Sequence, residues 1–307
     1  MEQGKKLALI VGCNYPNTSN ELHGCHNDAL AMRDLLIARF GFSSENVGLM
    51  MDKPGSPIMP TGANIKTALN KMVDRAEKGD VLFFHYSGHG TLIKRHGLSK
   101  REEAIVPCDF NLITSVDFRE LVNRVPSGAT FTILSDSCHS GGLIDKEKEQ
   151  MGPRTARVDT PPSGPHHKPK AIPLQSILEY FTSLTSKTST EIGEHMAEVF
   201  GPDASLMFRP GPVDRPLKDD EGILLSGCQA DETSADVEFS GSACGAFSNA
   251  VQTVVRENPK RDLSNREIVA MARKVLSFQH FENQHPCLYC SDENADAVFL
   301  GGQKATS

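Results

Sequence analysis

Three features of this 307-residue chain predict an α/β fold built on a mostly parallel sheet. Short apolar runs alternate with segments of helical spacing, the order that a parallel sheet with right-handed crossovers requires. Two of those runs share one layout. Asp80-Val-Leu-Phe-Phe-His-Tyr-Ser-Gly-His89-Gly and Thr130-Phe-Thr-Ile-Leu-Ser-Asp-Ser-Cys138-His-Ser-Gly-Gly each pass from apolar, to small and polar, to glycine. Runs of that kind read as strands buried on both faces. Finally, six prolines between residues 153 and 173 interrupt the pattern, which then resumes, so one sheet is expected with a linker looped out of it.

Residues 5–14 read as the first buried strand. Residues 26–39 carry helical spacing, with Leu30, Leu35, Leu36 and Ile37 on a broad apolar face. Residues 46–51 read as a short strand. Thr61 caps a helix running to about residue 78, with Ile65, Leu69, Met72 and Val73 inward, and Gly79 ends it. The strand leading to His89 follows, then a short strand at 104–107 and a helix at 117–125 closed by Pro126 and Gly128. The strand leading to Cys138 comes next. Past the prolines, two amphipathic helices are expected, one lined by Leu174, Ile177, Leu178, Phe181 and Leu184, the other by Ile192, Met196, Val199 and Phe200. After a second proline-bearing loop at 202–221, residues 222–228 read as strand, 245–257 and 264–276 as helices, and 286–289 with 298–300 as further strand. The chain thus divides into a region 1–149, a linker 150–221 with short helices, and a region 222–307 that completes the same sheet.

Composition narrows the function classes. A net charge of −7 lacks the basic footprint of a nucleic-acid binder. No apolar run approaches the ~20 residues that span a bilayer, and the N-terminus leads into a strand without a signal-peptide core. A cytoplasmic or nuclear location is expected, with secretion by a route that needs no signal peptide left open. Eight cysteines in such a chain are expected to be reduced and mostly buried. Cys287-Leu-Tyr-Cys290 has no second pair with which to hold zinc and reads as thiols in or near a terminal strand.

If the two glycine-ended strands lie side by side and parallel, His89 and Cys138 emerge at one carboxyl edge of the sheet. A thiol beside an imidazole there is the minimum equipment for nucleophilic acyl transfer. Glycines flank both residues and let the backbone turn sharply and approach a ligand closely. His85 lies inside its apolar run and reads as a neutral core imidazole, and His139 points away from its neighbour Cys138. In the expected reaction the Cys138 thiolate attacks a peptide carbonyl, and His89 takes the thiol proton and passes it to the leaving amine. The backbone N–H groups of Cys138 and Gly90 are candidates for the oxyanion site. No side chain that orients His89 is evident, so a dyad is expected. Ser87 and Asp136 each precede a reactive residue by two, which puts them on the same side. Asp136 is either a turn residue or a carboxylate facing the substrate, where it selects a guanidinium or ammonium. Asp28 is either a helix N-terminal acid or a second acid in the same pocket.

The stretches Tyr-Ser-Gly-His89-Gly and Asp136-Ser-Cys138-His-Ser-Gly-Gly resemble the paired signatures of the caspase–hemoglobinase clan. Gly12-Cys-Asn-Tyr-Pro, Glu21-Leu-His-Gly-Cys-His-Asn-Asp28, Pro60-Thr-Gly-Ala-Asn-Ile and Ser226-Gly-Cys-Gln-Ala-Asp-Glu-Thr-Ser-Ala-Asp236 resemble plant type II metacaspases. The likeness covers nearly the whole chain outside residues 150–220. It implies a caspase-like three-layer α/β/α sandwich with a mostly parallel six-stranded central sheet. It also implies a cysteine endopeptidase that cuts protein and peptide substrates after Arg or Lys, with His89 and Cys138 as its dyad and Cys25, Asp28, Ser87 and Asp136 lining the first specificity pocket. Such enzymes are made as self-cleaving zymogens, act as monomers and are associated with programmed cell death and stress.

The loop 91–103 is basic until Glu102 and Glu103, whereas most type II relatives carry a dense acidic loop there. A Ca²⁺ ion wants six to eight oxygens, which this loop does not offer. No metal or other cofactor is therefore expected to be required, as in the calcium-independent subgroup, which works in mildly acidic conditions. Within the linker, Lys168-Pro-Lys170-Ala-Ile-Pro is basic and exposed, and self-cleavage is predicted between Lys170 and Ala171. Arg154, Arg157 and Lys168 are lesser candidates, Lys168 because proline follows it. The alternative reading is a non-proteolytic interaction scaffold on the same fold, or another thiol hydrolase with the same dyad.

Overall fold

The computed structural model describes residues 4–94, 101–144, 149–151, 167–209, 222–229, 232–239 and 241–301. In chain order the elements are β1 (Lys6–Gly12), α1 (Cys25–Phe40), β2 (Val47–Met51), α2 (Gly62–Asp74), β3 (Val81–Ser87), β4 (Gly90–Lys94), β5 (Arg101–Ile105), β6 (Ile113–Thr114), α3 (Ser115–Asn123), β7 (Thr130–Asp136), β8 (Glu149–Met151), β9 (His167–Pro169), α4 (Leu174–Thr185), α5 (Ile192–Phe200), β10 (Ile223–Ser226), β11 (Ala235–Phe239), β12 (Ser242–Gly245), α6 (Ala246–Glu257), α7 (Asn265–Phe278), β13 (Cys287–Tyr289) and α8 (Asp292–Asp296).

The central sheet has seven strands in the order β2-β1-β3-β7-β10-β13-β8. The first five are mutually parallel, and β13 and β8 close the edge antiparallel to their neighbours. Six strands were the expectation; the seventh, β8, is three residues at the junction with the linker, too short to carry an alternation that the sequence would reveal. Residues 298–300 do not form the expected strand. Val298 makes an isolated bridge to Ser264, while Phe299 and Leu300 are buried as core.

Alternation along β3 divides the layers. Leu82, Phe84 and Tyr86 join one apolar cluster with α2, α3, α4 and α5, whereas Val81 and Phe83 join the other with α1, α6 and α7. Phe83 and Phe84 are both fully buried, and removing each ring from water contributes about 2 kcal/mol. Both helices expected between the prolines are present, and Ile177, Phe181 and Met196 are buried in the first cluster. The chain from His167 to Arg209 is therefore folded onto the body. Of the other predicted cleavage candidates, Arg154 and Arg157 lie outside the described residues.

The register of the two central strands positions the chemistry. Val81 pairs with Thr130 and so on through Ser87 with Asp136. Two strands in parallel register that end together deliver their next residues to one edge. Gly90 needs its missing side chain here, because a Cβ would stand 1.9 Å from the Cys138 carbonyl oxygen.

Asp236 on β11 ties the two regions together. Its carboxylate is buried and accepts the N–H groups of His23 (2.8 Å) and Gly24 (3.0 Å), immediately before α1. Asp236→Ala leaves both donors without their acceptor. It is expected to lower the unfolding free energy by about 2 kcal/mol, measured as a reduced urea midpoint at unchanged m-value.

Candidate active site

His89 and Cys138 follow β3 and β7 and sit at the carboxyl edge of the sheet, both buried. Between them lies a segment of the chain itself. The Lys170 carbonyl oxygen accepts the N–H of Gly90 (3.0 Å) and the N–H of Cys138 (3.1 Å), the two donors singled out from the sequence. The Lys170 N–H donates to Ser234 O (2.8 Å), and the Ile172 N–H donates to Gly90 O (3.1 Å). Upstream, β9 pairs antiparallel with β11. The peptide bond between Lys170 and Ala171 is thus laid across the strand ends in extended form.

The two reactive side chains are held separately. The Cys138 thiol donates to Ser234 O (3.5 Å) and accepts the Ser234 N–H (3.1 Å). His89 Nε2 lies 2.7 Å from Asn20 O. A carbonyl only accepts, so Nε2 carries the proton and Nδ1 is the bare, basic nitrogen. Nδ1 is buried and has no hydrogen-bond partner among the described residues. Burial pushes the His89 imidazole down to about 4; the Asn20 carbonyl pulls it up, and the ammonium groups of Lys168 and Lys170 push it further down. The ring is neutral at ordinary pH. Tyr15 packs against it, ring centroids 4.7 Å apart, and its hydroxyl accepts the His89 N–H at 2.9 Å.

The Lys170 side chain enters a closed pocket. Its Nζ is 2.9 Å from Ser87 Oγ, 3.3 Å from Asp136 Oδ2 and 3.5 Å from Asp28 Oδ2, and the residue is 0% exposed. Ser87 Oγ donates to Asp28 (2.6 Å). Asp28 also accepts the Gly245 N–H (2.9 and 2.8 Å to its two oxygens), and Asp136 accepts the Ser248 N–H (2.7 Å) and the Ser234 hydroxyl (2.5 Å). Both carboxylates meet one ammonium, so one negative charge is in excess. Burial raises Asp28 to about 7 even though Lys170 pulls it down. Burial also acts upward on Asp136, but Lys170 and the donors from Ser234 and Ser248 outweigh it and keep this group ionised. Burial disfavours the Lys170 ammonium, yet Asp136 and Asp28 together hold it well above the usual range. Cys25 is buried beside the pocket; desolvation raises its thiol, against the pull of Lys170 and Ser87.

A model of the caspase domain matches residues 5–298. Metacaspase-9 of Arabidopsis thaliana is 54% identical over 96% of this chain and 97% of its own length. Metacaspase-7 of the same plant is 34% identical over 96% of this chain and 99% of its own length. The chain belongs to the type II metacaspases. Two solved structures share its fold: protein GSU0716 from Geobacter sulfurreducens, with a TM-score of 0.63 and 19% identity over 98% of this chain and 100% of the other, and caspase-1 from Spodoptera frugiperda, with a TM-score of 0.52 and 9% identity over 99% and 93%. A metacaspase is a cysteine peptidase, and the seven-stranded sheet with helices on both faces is the caspase sandwich.

In this metacaspase the structure brings His89, Gly90, Cys138, Asp28, Ser87, Asp136, Lys170 and Ala171 to one place. His85 is a core residue, as read from the sequence: burial pushes it down to about 3, and its Nε2 is 3.0 Å from Ser248 Oγ. Lys168 stands outside the pocket, exposed, its Nζ donating to Ser19 O (3.1 Å) and Glu21 O (2.7 Å). Five participants were missed. Asn20 orients His89 through a backbone carbonyl, which any residue type supplies. Ser234 and Ser248 look like ordinary small residues, although Ser234 belongs to the quoted 226–236 motif. Gln284 holds Ser234 in turn, through Nε2 to its Oγ at 3.0 Å.

Gly245 is the fifth. A Cβ there would stand 2.1 Å from Lys170 Nζ, 2.3 Å from Asp136 Oδ2 and 2.6 Å from Asp28 Oδ2. Gly245→Ala is expected to cut kcat/KM for peptides with Lys before the scissile bond on the order of 10–200-fold, a pocket-methyl effect, while thermal unfolding shows the protein still folded. Unchanged kinetics would mean that the wall of this pocket does not contact the substrate.

Proposed function

We propose that this metacaspase is an endopeptidase that cuts after Lys or Arg and processes itself between Lys170 and Ala171. What carries the reading is one observation: the Lys170 carbonyl accepts both the Gly90 and Cys138 N–H groups while its ammonium lies among Asp28, Ser87 and Asp136. The reacting group and the recognised side chain come from the same residue, as in a bound substrate.

In the proposed reaction the Cys138 sulfur attacks the Lys170 carbonyl carbon as its proton passes to His89 Nδ1. Negative charge develops on the carbonyl oxygen, where two N–H donors already point. The C–N bond then breaks, His89 returns the proton to the Ala171 nitrogen, and water hydrolyses the thioester. The doubly acidic pocket favours an ammonium or guanidinium over a carboxylate by charge sign alone. No metal enters this scheme. Glu102 and Glu103, the acids that end the basic loop, are already engaged, Glu102 with Ser115 and Arg119 (3.7 Å) and Glu103 with the Gly142 N–H. Loop residues 95–100 lie outside the described residues. No helix among the described residues is long and apolar enough to cross a membrane. A role in cell death or stress proteolysis, in the cytoplasm or nucleus, completes the proposal on the strength of the family resemblance.

The test is incubation of the purified chain, wild type and Cys138→Ala, in excess chelator. The wild type is expected to yield a small fragment whose N-terminal sequence begins at Ala171, to remain one monomeric species in native gel filtration, and to turn over fluorogenic peptides ending in Lys or Arg but not Asp. The Cys138→Ala protein should stay whole and inactive. A fragment that begins elsewhere, or a strict need for calcium, overturns the corresponding part.

A second measurement follows from the imidazole. Protonating Nδ1 removes the proton acceptor, so activity is lost as pH falls through the folded value of about 4. The acid limb of kcat for a Lys peptide, which reports the loaded site, is expected near pH 4. A limb at the free-imidazole position of about 6.5 would contradict it.

A further inference from the structure

The two ends of the Lys170–Ala171 bond are held in different ways. On the amine side, Ala171 forms a parallel bridge with Gly90, and Ile172 donates its N–H to Gly90 O at 3.1 Å. The Ile172 side chain is 1% exposed and belongs to the apolar cluster that also takes in Ile177 and Phe181 of α4. Leu174 opens that helix only two residues later. On the acyl side, Lys168 and Pro169 are exposed and are held by hydrogen bonds to β11 and to the loop at residues 19–21. The Lys170 side chain is held by the pocket, which any peptide ending in a cation can fill. Cleavage therefore frees an acyl end that others can replace and an amine end that remains anchored by a core residue.

We propose that the Ala171 amine, once freed, stays at the site and acts as an acyl acceptor. The processed enzyme then transfers the acyl part of a Lys-ended peptide from Cys138 onto its own Ala171 nitrogen, in competition with hydrolysis. This rests on the proposed self-cleavage after Lys170. The chemistry balances without a co-reactant. The incoming substrate acylates Cys138, its C–N bond breaks, and its leaving amine departs with a proton from His89. The Ala171 nitrogen attacks the thioester carbonyl, the C–S bond breaks as the new C–N bond forms, and the ammonium proton returns through His89 to the sulfur. One amide replaces another. A tethered nucleophile is present at an effective concentration on the order of millimolar even through a flexible link, and anchoring by Ile172 and Gly90 raises it further.

Only the free-base amine attacks. An α-amino group ordinarily titrates at about 7.7–8.0, so the ligated share rises with pH through that region while hydrolysis loses its share. The test uses processed wild-type enzyme and the fluorogenic amide of acetyl-His-Lys-Pro-Lys, the sequence of residues 167–170, whose small leaving group needs no room beyond the cut. Acid-quenched samples are read by intact mass. The expected result is the mass of the acyl tetrapeptide added at Ala171 of the small fragment, in a share that grows severalfold from pH 6 to pH 8. Ile172→Ser, which loosens the anchor, should lower the ratio of ligated to hydrolysed peptide severalfold. Free tetrapeptide acid with an unmodified fragment at every pH would overturn the transfer and leave the peptidase reading standing. A chain that never yields an Ala171 terminus would overturn both.

Discussion

A buried ammonium facing two buried carboxylates is the interaction on which the front of this molecule depends. Lys170, Asp28 and Asp136 are all within 2% of full burial. Each ion taken from water alone would cost several kcal/mol, so the arrangement is stable only if every charge finds partners. It does so with groups from all parts of the chain: Ser87 from β3, the N–H groups of Gly245 and Ser248 around the start of α6, and the hydroxyl of Ser234 before β11. Asp28 comes from α1, Asp136 from β7 and Lys170 from the linker. Neither region flanking the linker holds a complete pocket. That is a physical reason for the second region to complete the same sheet, and for Asp236 to fasten it to the loop that leads into α1.

The excess negative charge has a further effect. With one cation between two acids, the cheaper adjustment is to protonate the acid that lies farther from the ammonium. Each acid receives a backbone N–H and a serine hydroxyl, but the ammonium lies 3.3 Å from Asp136 and 3.5 Å from Asp28. Asp28 accordingly moves up to about 7, and Asp136 stays charged. The two acids of the pocket, alike in the sequence, therefore differ in what they do: one is a fixed counter-ion and the other adjusts to its surroundings.

Much of this was legible because it lies in side chains with regular spacing. The apolar runs around residues 81–87 and 130–136 could only be buried strands, and the period of two placed Ser87 with His89 and Asp136 with Cys138 before any pairing was known. Lys170 stood out as a basic residue before a small one in a proline-rich stretch. What could not be read has physical causes of its own. β8 is too short to show a period. The β11–β12 hairpin offers no long apolar alternation, so its part in seating β9 was hidden. Asn20 acts through its carbonyl and Gly245 through the side chain it lacks, and neither contribution leaves a mark in residue type. The choice between turn residue and pocket acid at Asp136, and between helix acid and pocket acid at Asp28, was open in the sequence. For Asp28 the structure answers both ways, since it lies in the first turn of α1 and reaches Lys170.

The intact chain brings Cys138, His89, the Gly90 and Cys138 N–H groups and the Lys170–Ala171 bond together, yet it holds the thiol in a hydrogen bond to Ser234 O. The Cys138 thiol donates to Ser234 O, and the bare Nδ1 of His89 has no partner among the described residues. In the proposed chemistry the thiol hydrogen must leave that carbonyl and turn toward the imidazole, a rotation about single bonds between staggered positions. Ser234 O also accepts the Lys170 N–H, so the Lys170 segment and the Cys138 thiol share one acceptor. Ser234 is held from behind by Gln284, which bonds its hydroxyl, the Gly227 carbonyl and the Ala235 N–H. The position of Ser234 thus sets the hydrogen-bonding of the Cys138 thiol and of the Lys170 N–H together.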